Sequence, residues 1–345
     1  MSVRDPARKT AADIDLLSED DPPAAVIFGV GGLALTRAEE DVFRKTNPLG
    51  FILFARNCDN PQQVRDLCES LHKSAGRHVP ILIDQEGGRV QRLKAPHWTE
   101  YPSAKFFADV YDQDHIKGRK ALADNINAIS RDLIDVGVNV NCAPVLDVLF
   151  PQTHDVIGDR AFSDDAQLAG ALGVQAAETY ALAGVIPVVK HIPGHGRAAS
   201  DSHKDLPVVD ASRDELDRAD FRPYRALLAQ AFSEAVWGMV AHVIYRDIDP
   251  KLPASCSRKV IWDTIRQDIG FKGFLVSDDI GMDALAAHGT PYRRVEDVLR
   301  GGCDAALHCN GKIDEIEDIA PRVQKMTKEA VTRYNRSVSW YKGVA

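Results

Sequence analysis

Three histidines, two lysines and two aspartates lie close together in the stretch KHIPGHGRAASDSHKDLP, residues 190–207. This composition is compatible with a metal site, a proton-transfer site or a sugar-binding loop. The spacing disfavours zinc, because the Pro193-Gly194 step prevents one regular helix from presenting both His191 and His195. The sequence also has neither an HExxH nor a CxxC motif. We expect His195 to tie the backbone of the loop together.

The tripeptide Asp201-Ser202-His203 places a carboxylate two residues before an imidazole. Such a carboxylate can accept the ring N–H, which fixes the tautomer and raises the basicity of the other nitrogen. The residues from 194 to 200 are mostly small, so this pair could move into and out of a site. The alternative is a surface turn with a solvated histidine, and the tripeptide alone does not distinguish the two.

Asp278 stands at the end of the apolar run GFLVSDD, residues 273–279. A carboxylate there is costly to bury unless a partner or a function compensates. Capping of the following turn is a role that suits Ser277 or Asp279. We therefore predict that Asp278 is functional and suited to attack on, or stabilisation of, an electron-poor carbon.

Two glycine-rich stretches could suggest phosphate binding. GVGGL (29–33) and GGR (87–89) each follow an apolar run. Neither matches GxGxxG or GxxxxGK[ST], so a nucleotide site is disfavoured and tight turns at strand ends are the simpler interpretation.

The elements that must position these residues are eight short, almost continuously apolar runs separated by segments with helical spacing. Such runs are typical of parallel strands covered on both faces. Their alternation with helices over about 300 residues predicts an α/β fold, a (β/α)8 TIM-like barrel in a single domain over residues 23–345. A doubly wound open sheet is the alternative, and residues 1–22 are predicted to be a polar, loosely docked N-terminal arm. The eight runs cover residues 24–30, 50–55, 79–84, 136–145, 184–191, 235–244, 273–279 and 303–310.

Polar residues gather directly after these runs, where a barrel of this type carries its chemistry. DQEGGRVQRL follows the third run, APVLDVLF ends the fourth, and the histidine-rich stretch follows the fifth. HVIYRDIDP and SDDIGMDAL follow the sixth and seventh. The predicted barrel therefore places all of these segments at one end.

Composition excludes several partner classes. The chain has 345 residues and a formal net charge of −8, which disfavours nucleic acid as a partner. Its longest apolar stretch is too short to span a bilayer. Six cysteines without a CxxC pair indicate buried thiols in a reducing compartment. The N-terminal residues contain no apolar signal region, so we expect a cytoplasmic protein.

The order of motifs resembles the bacterial, single-domain β-N-acetylglucosaminidase (β-N-acetylhexosaminidase) branch of glycoside hydrolase family 3. KHIPGHG followed by DSH is the most specific of them. The resemblance covers roughly residues 24–310, and two departures, Ile192 and Ile280-Gly281, lie beside the chemical groups. The other motifs are DQEGGRVQRL, APVLDV, IGDRAF, AHVIY, PASCSRKVI, GFLVSDDIGM and GGCDAALHCN.

This resemblance implies a retaining enzyme that removes terminal β-linked N-acetylglucosamine (GlcNAc). The implied substrates are the GlcNAc-1,6-anhydro-N-acetylmuramoyl peptides of peptidoglycan recycling. It assigns Asp278 as the nucleophile and His203, paired with Asp201, as the general acid/base. The implied hydroxyl-binding residues are Asp84, Arg92, Arg160, Lys190 and His191.

We further expect a monomer that acts on a small-molecule substrate without a cofactor or metal, and without a nucleic-acid or membrane partner. Three alternatives remain at this point. One is a β-N-acetylglucosaminide phosphorylase, because a neutral imidazole repels an anionic acceptor less than a carboxylate would. The others are a β-glucosidase and a non-catalytic sugar-binding protein on the same fold.

Overall fold

A computed structural model describes residues 9–198, 200 and 206–344 of the chain. Eight parallel strands close into one barrel in the order β1-β10-β9-β7-β5-β4-β3-β2. The (β/α)8 prediction is confirmed, and the open doubly wound sheet is excluded because the sheet closes. The barrel strands are β1 Ala24–Gly29, β2 Pro48–Leu53, β3 Ile81–Ile83, β4 Val140–Asn141, β5 Ile186–Ile192, β7 Trp237–Val240, β9 Leu275–Asp279 and β10 Ala305–His308.

A short parallel ladder lies outside the barrel, where β6, Val208–Val209, pairs with β8, Ile244–Tyr245. Helices follow most barrel strands, and a further helix with wide π-type turns spans Lys259–Ile269. The α-helices are α1 Arg37–Thr46, α2 Pro61–Ala75, α3 Ala104–Gln113, α4 His115–Asp135, α5 Ala166–Leu182, α6 Arg213–Arg218, α7 Arg222–Leu228, α8 Pro291–Gly301, α9 Ile313–Ile319 and α10 Lys328–Val344.

Local chemistry explains where the helices begin. The side chain of Asn60 accepts the N–H of Gln63 at the start of α2, with Pro61 in the first turn. Asp165 accepts two backbone N–H groups at the start of α5. Asp114 does the same for α4, so that helix begins at His115.

The barrel strands are buried along nearly their whole length. Every residue of β1, β2 and β5 is buried, which explains why these strands lack an alternating polar pattern. In β9 the first three residues are buried, and Asp278 and Asp279 at its carboxyl end are partly exposed. The polar residues therefore begin where the barrel interior opens.

The described part of the N-terminal arm is docked more tightly than its polarity suggests. Ala11 and Ile14 are fully buried and Leu17 is 8% exposed. The backbone N–H of Asp15 donates to the carbonyl of His78, and its carboxylate accepts the N–H of His78. The arm thus packs at the amino-terminal end of the barrel, opposite the polar end. The prediction of loose docking overlooked three apolar residues spaced three apart.

Within the described ranges, no helix combines the length and apolar character needed to cross a membrane.

Replacement of Ile14 by alanine should destabilise the fold by about 2 to 5 kcal/mol, because it removes fully buried methyl and methylene groups. Urea unfolding followed by circular dichroism measures this. Leu16, which is 49% exposed, offers a matched control. Leu16→Ala should change the free energy of unfolding by no more than about 0.5 kcal/mol. Equal effects of the two substitutions would contradict the docking of the arm.

Candidate active site

A cavity of about 340 Å³ opens at the carboxyl ends of the barrel strands. Its volume lies within the range of small-molecule sites, about 300 to 1,000 Å³. Asp84, Arg92, Arg160, Lys190, His191 and Asp278 all line it. The structure therefore brings these six predicted residues together, although their roles remain predictions. The other two predicted site residues, Asp201 and His203, lie outside the described residues.

A buried ionic cluster forms one wall of the cavity. The ammonium of Lys190, 2% exposed, lies 2.8 Å from Asp84 Oδ1 and 2.6 Å from Glu86 Oε1. Arg92 Nη2 donates to Asp84 Oδ2 at 3.1 Å. Arg160 binds both oxygens of Glu86, at 2.8 and 2.9 Å. Three cations thus share two carboxylates, and the charge-assisted bonds offset the cost of burial.

The cations keep both carboxylates of the cluster ionised. Burial alone would raise the pKa of Asp84, but Lys190 and Arg92 outweigh it and hold that pKa well below its usual range. For Glu86, burial is likewise outweighed by Arg160 and Lys190, which lower the pKa to about 2.

The carboxylates act on the cations in return. Burial disfavours the charged forms of Lys190 and Arg160, yet their carboxylate partners raise both pKa values above their usual range. The cluster therefore keeps its charges across the neutral pH range and presents donors and acceptors that are already oriented.

Asp147 organises the two histidines that line the cavity. Its Oδ2 lies 2.7 Å from His191 Nδ1, and its Oδ1 accepts the backbone N–H of His191 at 3.2 Å and that of His195 at 2.6 Å. Burial would raise the pKa of Asp147, but His191 lowers it. The ionised carboxylate can only accept, so Nδ1 of His191 carries a proton and donates it to Asp147.

His195 has a second role besides its backbone contact with Asp147. Its ring lines the cavity and packs edge-on against that of His191, with centroids 5.5 Å apart. Burial, reinforced by His191, lowers the pKa of His195 to about 4, so the ring is neutral at pH 7. The expectation that His195 only ties the loop together was thus incomplete, because its ring also forms part of the cavity wall.

Asp278 and its neighbour Asp279 differ in the backbone groups that their carboxylates bind. Asp278 lines the cavity, and its Oδ1 accepts the N–H of Asp279 at 2.8 Å. Asp279 Oδ1 accepts the N–H groups of Gly281 and Cys309, at 2.9 and 3.0 Å. Asp279, which also lines the cavity, therefore fixes the turn after β9 and connects it to the end of β10.

Two residues that support the candidate site, Glu86 and Asp147, were not predicted from the sequence. Both lie in motifs that the sequence analysis named, DQEGG and APVLDV. They contact other side chains of the site, and such support leaves no characteristic spacing in a sequence. In an extended segment, residues two apart point to the same side, so Glu86 could have been inferred from Asp84.

No group of three His, Cys, Asp or Glu side chains that could hold a metal ion occurs among residues 9–198, 200 and 206–344. All six cysteines are free thiols. The described chemistry of the cavity is therefore that of carboxylates, guanidinium groups, imidazoles and one ammonium.

Known proteins match this chain over most of its length. Residues 26–339 match the model of the glycosyl hydrolase family 3 N-terminal domain. A β-hexosaminidase of Bordetella avium (strain 197N) is 33% identical over 320 residues, covering 93% of this chain and 89% of the relative.

Solved structures also superpose on most of the chain. NagZ from Neisseria gonorrhoeae in complex with N-trifluoroacetyl-D-glucosamine superposes with a TM-score of 0.82 at 29% identity, covering 92% of this chain and 90% of that one. A glycoside hydrolase family 3 β-N-acetylglucosaminidase from Paenibacillus sp. str. FPU-7 also has a TM-score of 0.82, at 28% identity. The match covers 93% of this chain and 61% of that longer chain.

Glu86→Gln should destabilise the fold by about 3 kcal/mol at pH 7, because it leaves Lys190 and Arg160 with one buried anion fewer. The folded-state pKa of Glu86 is lowered to about 2, so its contribution is present above the unfolded pKa near 4.5 and is lost as pH falls towards 2. The difference between wild type and variant should therefore shrink between about pH 5 and pH 2.

Urea unfolding at several pH values measures this difference. The exposed Glu178 on α5 serves as the control, since Glu178→Gln changes the same group outside any buried cluster. A difference between wild type and Glu86→Gln that stays constant from pH 7 to pH 3 would contradict the charge-based account.

Proposed function

This chain belongs to glycosyl hydrolase family 3 and is a glycoside hydrolase of the β-N-acetylhexosaminidase type; from that premise we propose that it removes terminal β-linked GlcNAc through a covalent glycosyl-enzyme on Asp278. One observation carries the proposal. Asp278 faces the same cavity as the ionic cluster around Lys190. A carboxylate at the carboxyl end of a barrel strand thereby meets a wall of oriented polar groups that suits sugar hydroxyls.

The proposed reaction has two steps. In the first, a carboxylate oxygen of Asp278 forms a bond to the anomeric carbon while the bond to the leaving oxygen breaks. His203 donates its proton to that oxygen, so the aglycone leaves as a neutral alcohol. In the second step His203 removes a proton from water, whose oxygen attacks the anomeric carbon and releases Asp278. Two inversions return the β configuration.

The roles of His203 and Asp201 rest on the family resemblance, since both residues lie outside the part of the chain described by the structure. With an ordinary pKa near 6.5, an imidazole can both donate and accept a proton near neutral pH. Asp201 would accept the second ring N–H and hold the tautomer that the proton transfers require.

The wall residues would hold the sugar ring. Asp84 offers acceptors, Lys190, Arg92 and Arg160 offer donors, and Nε2 of His191 offers a further hydrogen-bonding atom. A preference for a 2-acylamino sugar is supported by the N-trifluoroacetyl-D-glucosamine bound to the N. gonorrhoeae protein. We propose that the natural substrates are GlcNAc-1,6-anhydro-N-acetylmuramoyl peptides and that a monomeric enzyme acts on them in the cytoplasm during cell-wall recycling.

The activity is tested by release of 4-nitrophenol from the β-N-acetylglucosaminide and the β-glucoside in phosphate-free buffer. The proposal expects turnover of the first alone. Turnover that appears only after phosphate is added would identify a phosphorylase, and faster turnover of the glucoside would identify a β-glucosidase. Binding of GlcNAc without turnover under any condition would identify a non-catalytic sugar-binding protein.

Asp278→Ala should lower kcat by at least about 10⁴-fold, because it removes the carboxylate proposed to form the glycosyl-enzyme. Asp283→Ala, an exposed aspartate five residues further on, should leave kcat unchanged. Azide provides a sharper readout. It can occupy the space of the lost carboxylate and attack once, so the variant should form the α-glycosyl azide from a β-glycoside. Near-normal turnover by Asp278→Ala would exclude this residue as the nucleophile.

His203→Ala should lower kcat/KM strongly for poor leaving groups and far less for good ones, because only the former need protonation. The comparison uses phenyl and 2,4-dinitrophenyl β-N-acetylglucosaminides. With azide, this variant should yield the β-glycosyl azide, since the nucleophile is intact. Equal losses for both substrates would remove His203 from the acid/base role.

A further inference from the structure

Asp279 holds one oxygen of the proposed nucleophile and is itself bound from both neighbouring strands. Its backbone N–H donates to Asp278 Oδ1 at 2.8 Å. Its own Oδ1 accepts the N–H of Cys309, directly after β10, at 3.0 Å. Its carbonyl oxygen lies 3.0 Å from Nε2 of His242, two residues after β7. Because β10 and β7 are the two barrel neighbours of β9, Asp279 is fixed from either side.

His242 supplies the bond to Asp279 from the β7 side. The side chain is fully buried, and burial lowers the pKa of His242, so the ring is neutral at pH 7. A carbonyl oxygen can only accept, so Nε2 carries the single ring proton and donates it to Asp279. Nδ1 is then an acceptor, and the hydroxyl of Ser255, 2.6 Å away, donates to it. Ser255 therefore selects the tautomer that binds Asp279.

Ser255 can select this tautomer because its own segment is held in place. Its N–H donates to the carbonyl of Ala241 at 3.1 Å, and the N–H of Ala254 donates to the carbonyl of Val243 at 2.8 Å. The two bonds tie this segment to the residues on either side of His242. The motifs AHVIY and PASCSRKVI, to which the family resemblance assigned no role, therefore meet at the hydrogen bond between Ser255 and His242.

We propose that His242 is a positioning residue for Asp278, which it orients through Asp279, and that Ser255 supports it by fixing its tautomer. The inference rests on the proposed function, since it takes Asp278 as the nucleophile. His242 is not among the described residues that line the cavity, so it acts without touching substrate. With Oδ1 of Asp278 bound to Asp279, the other oxygen has a fixed direction, and attack is sensitive to displacements of about 1 Å.

The rate of glycosyl-enzyme formation tests the proposal. The probe is a 5-fluoro-N-acetylglucosaminyl fluoride, in which an oxygen of Asp278 bonds to the anomeric carbon while fluoride leaves. Fluoride is a good leaving group, so the step does not depend on the acid/base. Intact-mass spectrometry follows the added sugar with time. His242→Leu removes the donor and keeps most of the buried bulk, and we expect the limiting rate constant to fall about 10- to 100-fold.

Two further readouts separate positioning from a loss of folded protein. The final extent of labelling in His242→Leu should still reach one sugar per chain, whereas partial unfolding would lower the extent and leave the rate constant unchanged. The reagent concentration that gives half the limiting rate should stay within about twofold of wild type, because the residues proposed to hold the sugar are unchanged.

His242→Gln is the conservative variant, because its amide N–H lies close to the position of Nε2. It should restore the rate constant to within about fivefold of wild type, a difference equivalent to one imperfect hydrogen bond. A wild-type rate constant in His242→Leu, or an equally slow one in His242→Gln, would overturn the proposal.

Ser255 and Ser257 provide a matched pair within one segment. Both are fully buried, and the hydroxyl of Ser257 also donates a hydrogen bond, to Asp249 Oδ2 at 2.6 Å. Ser255→Ala should slow labelling about fivefold, because the donating tautomer of His242 loses its support. Ser257→Ala should change the rate constant by no more than about twofold. Equal effects of the two substitutions would contradict the proposal, and the pair decides the question alone if His242→Leu yields no folded protein.

Labelling of the wild-type protein separates the two levels of the argument. If the wild type is labelled on Asp278 and His242→Leu is labelled equally fast, the positioning role is wrong and the proposed function stands. If the wild type is labelled on another residue or not at all, the nucleophile assignment fails, and the positioning role fails with it. Labelling on Asp278 throughout, slowed in His242→Leu and Ser255→Ala and unchanged in Ser257→Ala, is the result expected.

Discussion

The contact of the Lys190 ammonium with Asp84 and Glu86 is the interaction on which the rest of the site depends. A cation that is 2% exposed must be neutralised and hydrogen-bonded, or the fold bears a large desolvation cost. Two carboxylates from the end of β3 meet that need, and they in turn require Arg92 and Arg160. The charged wall therefore forms when the protein folds, before any substrate is present. Because its donors and acceptors are already oriented, they need little rearrangement when a substrate binds.

The barrel brings a second group of residues to this wall without any shared sequence motif. Asp278 comes from the end of β9, and His191 from the end of β5, where Asp147 holds it. Because parallel strands in a closed barrel all end at one face, residues nearly 200 positions apart become neighbours. The docked N-terminal arm lies at the other end of the barrel.

Much of this arrangement could be predicted from the sequence, for physical reasons. The eight strands were recognisable because their residues are buried on both faces, which leaves continuous apolar runs. Six residues that line the cavity were named from the sequence: Asp278 from its position at the end of an apolar run, and Asp84, Arg92, Arg160, Lys190 and His191 from the family resemblance. Glu86 and Asp147 were not identified, because they act through contacts with other side chains. The arm was misjudged since three apolar residues among many polar ones leave no strong pattern, and the β6–β8 ladder is too short to have one.

The central claim is that Asp278 becomes covalently bound to the sugar, and trapping of that intermediate tests it most directly. A 5-fluoro-N-acetylglucosaminyl fluoride combines a good leaving group with a slowed second step, so the glycosyl-enzyme should accumulate. Intact-mass and peptide mass spectrometry of the treated protein should show one added sugar, located on the peptide that contains Asp278. A sugar on a different residue, or steady turnover of the reagent with no covalent adduct at any time, would contradict the account.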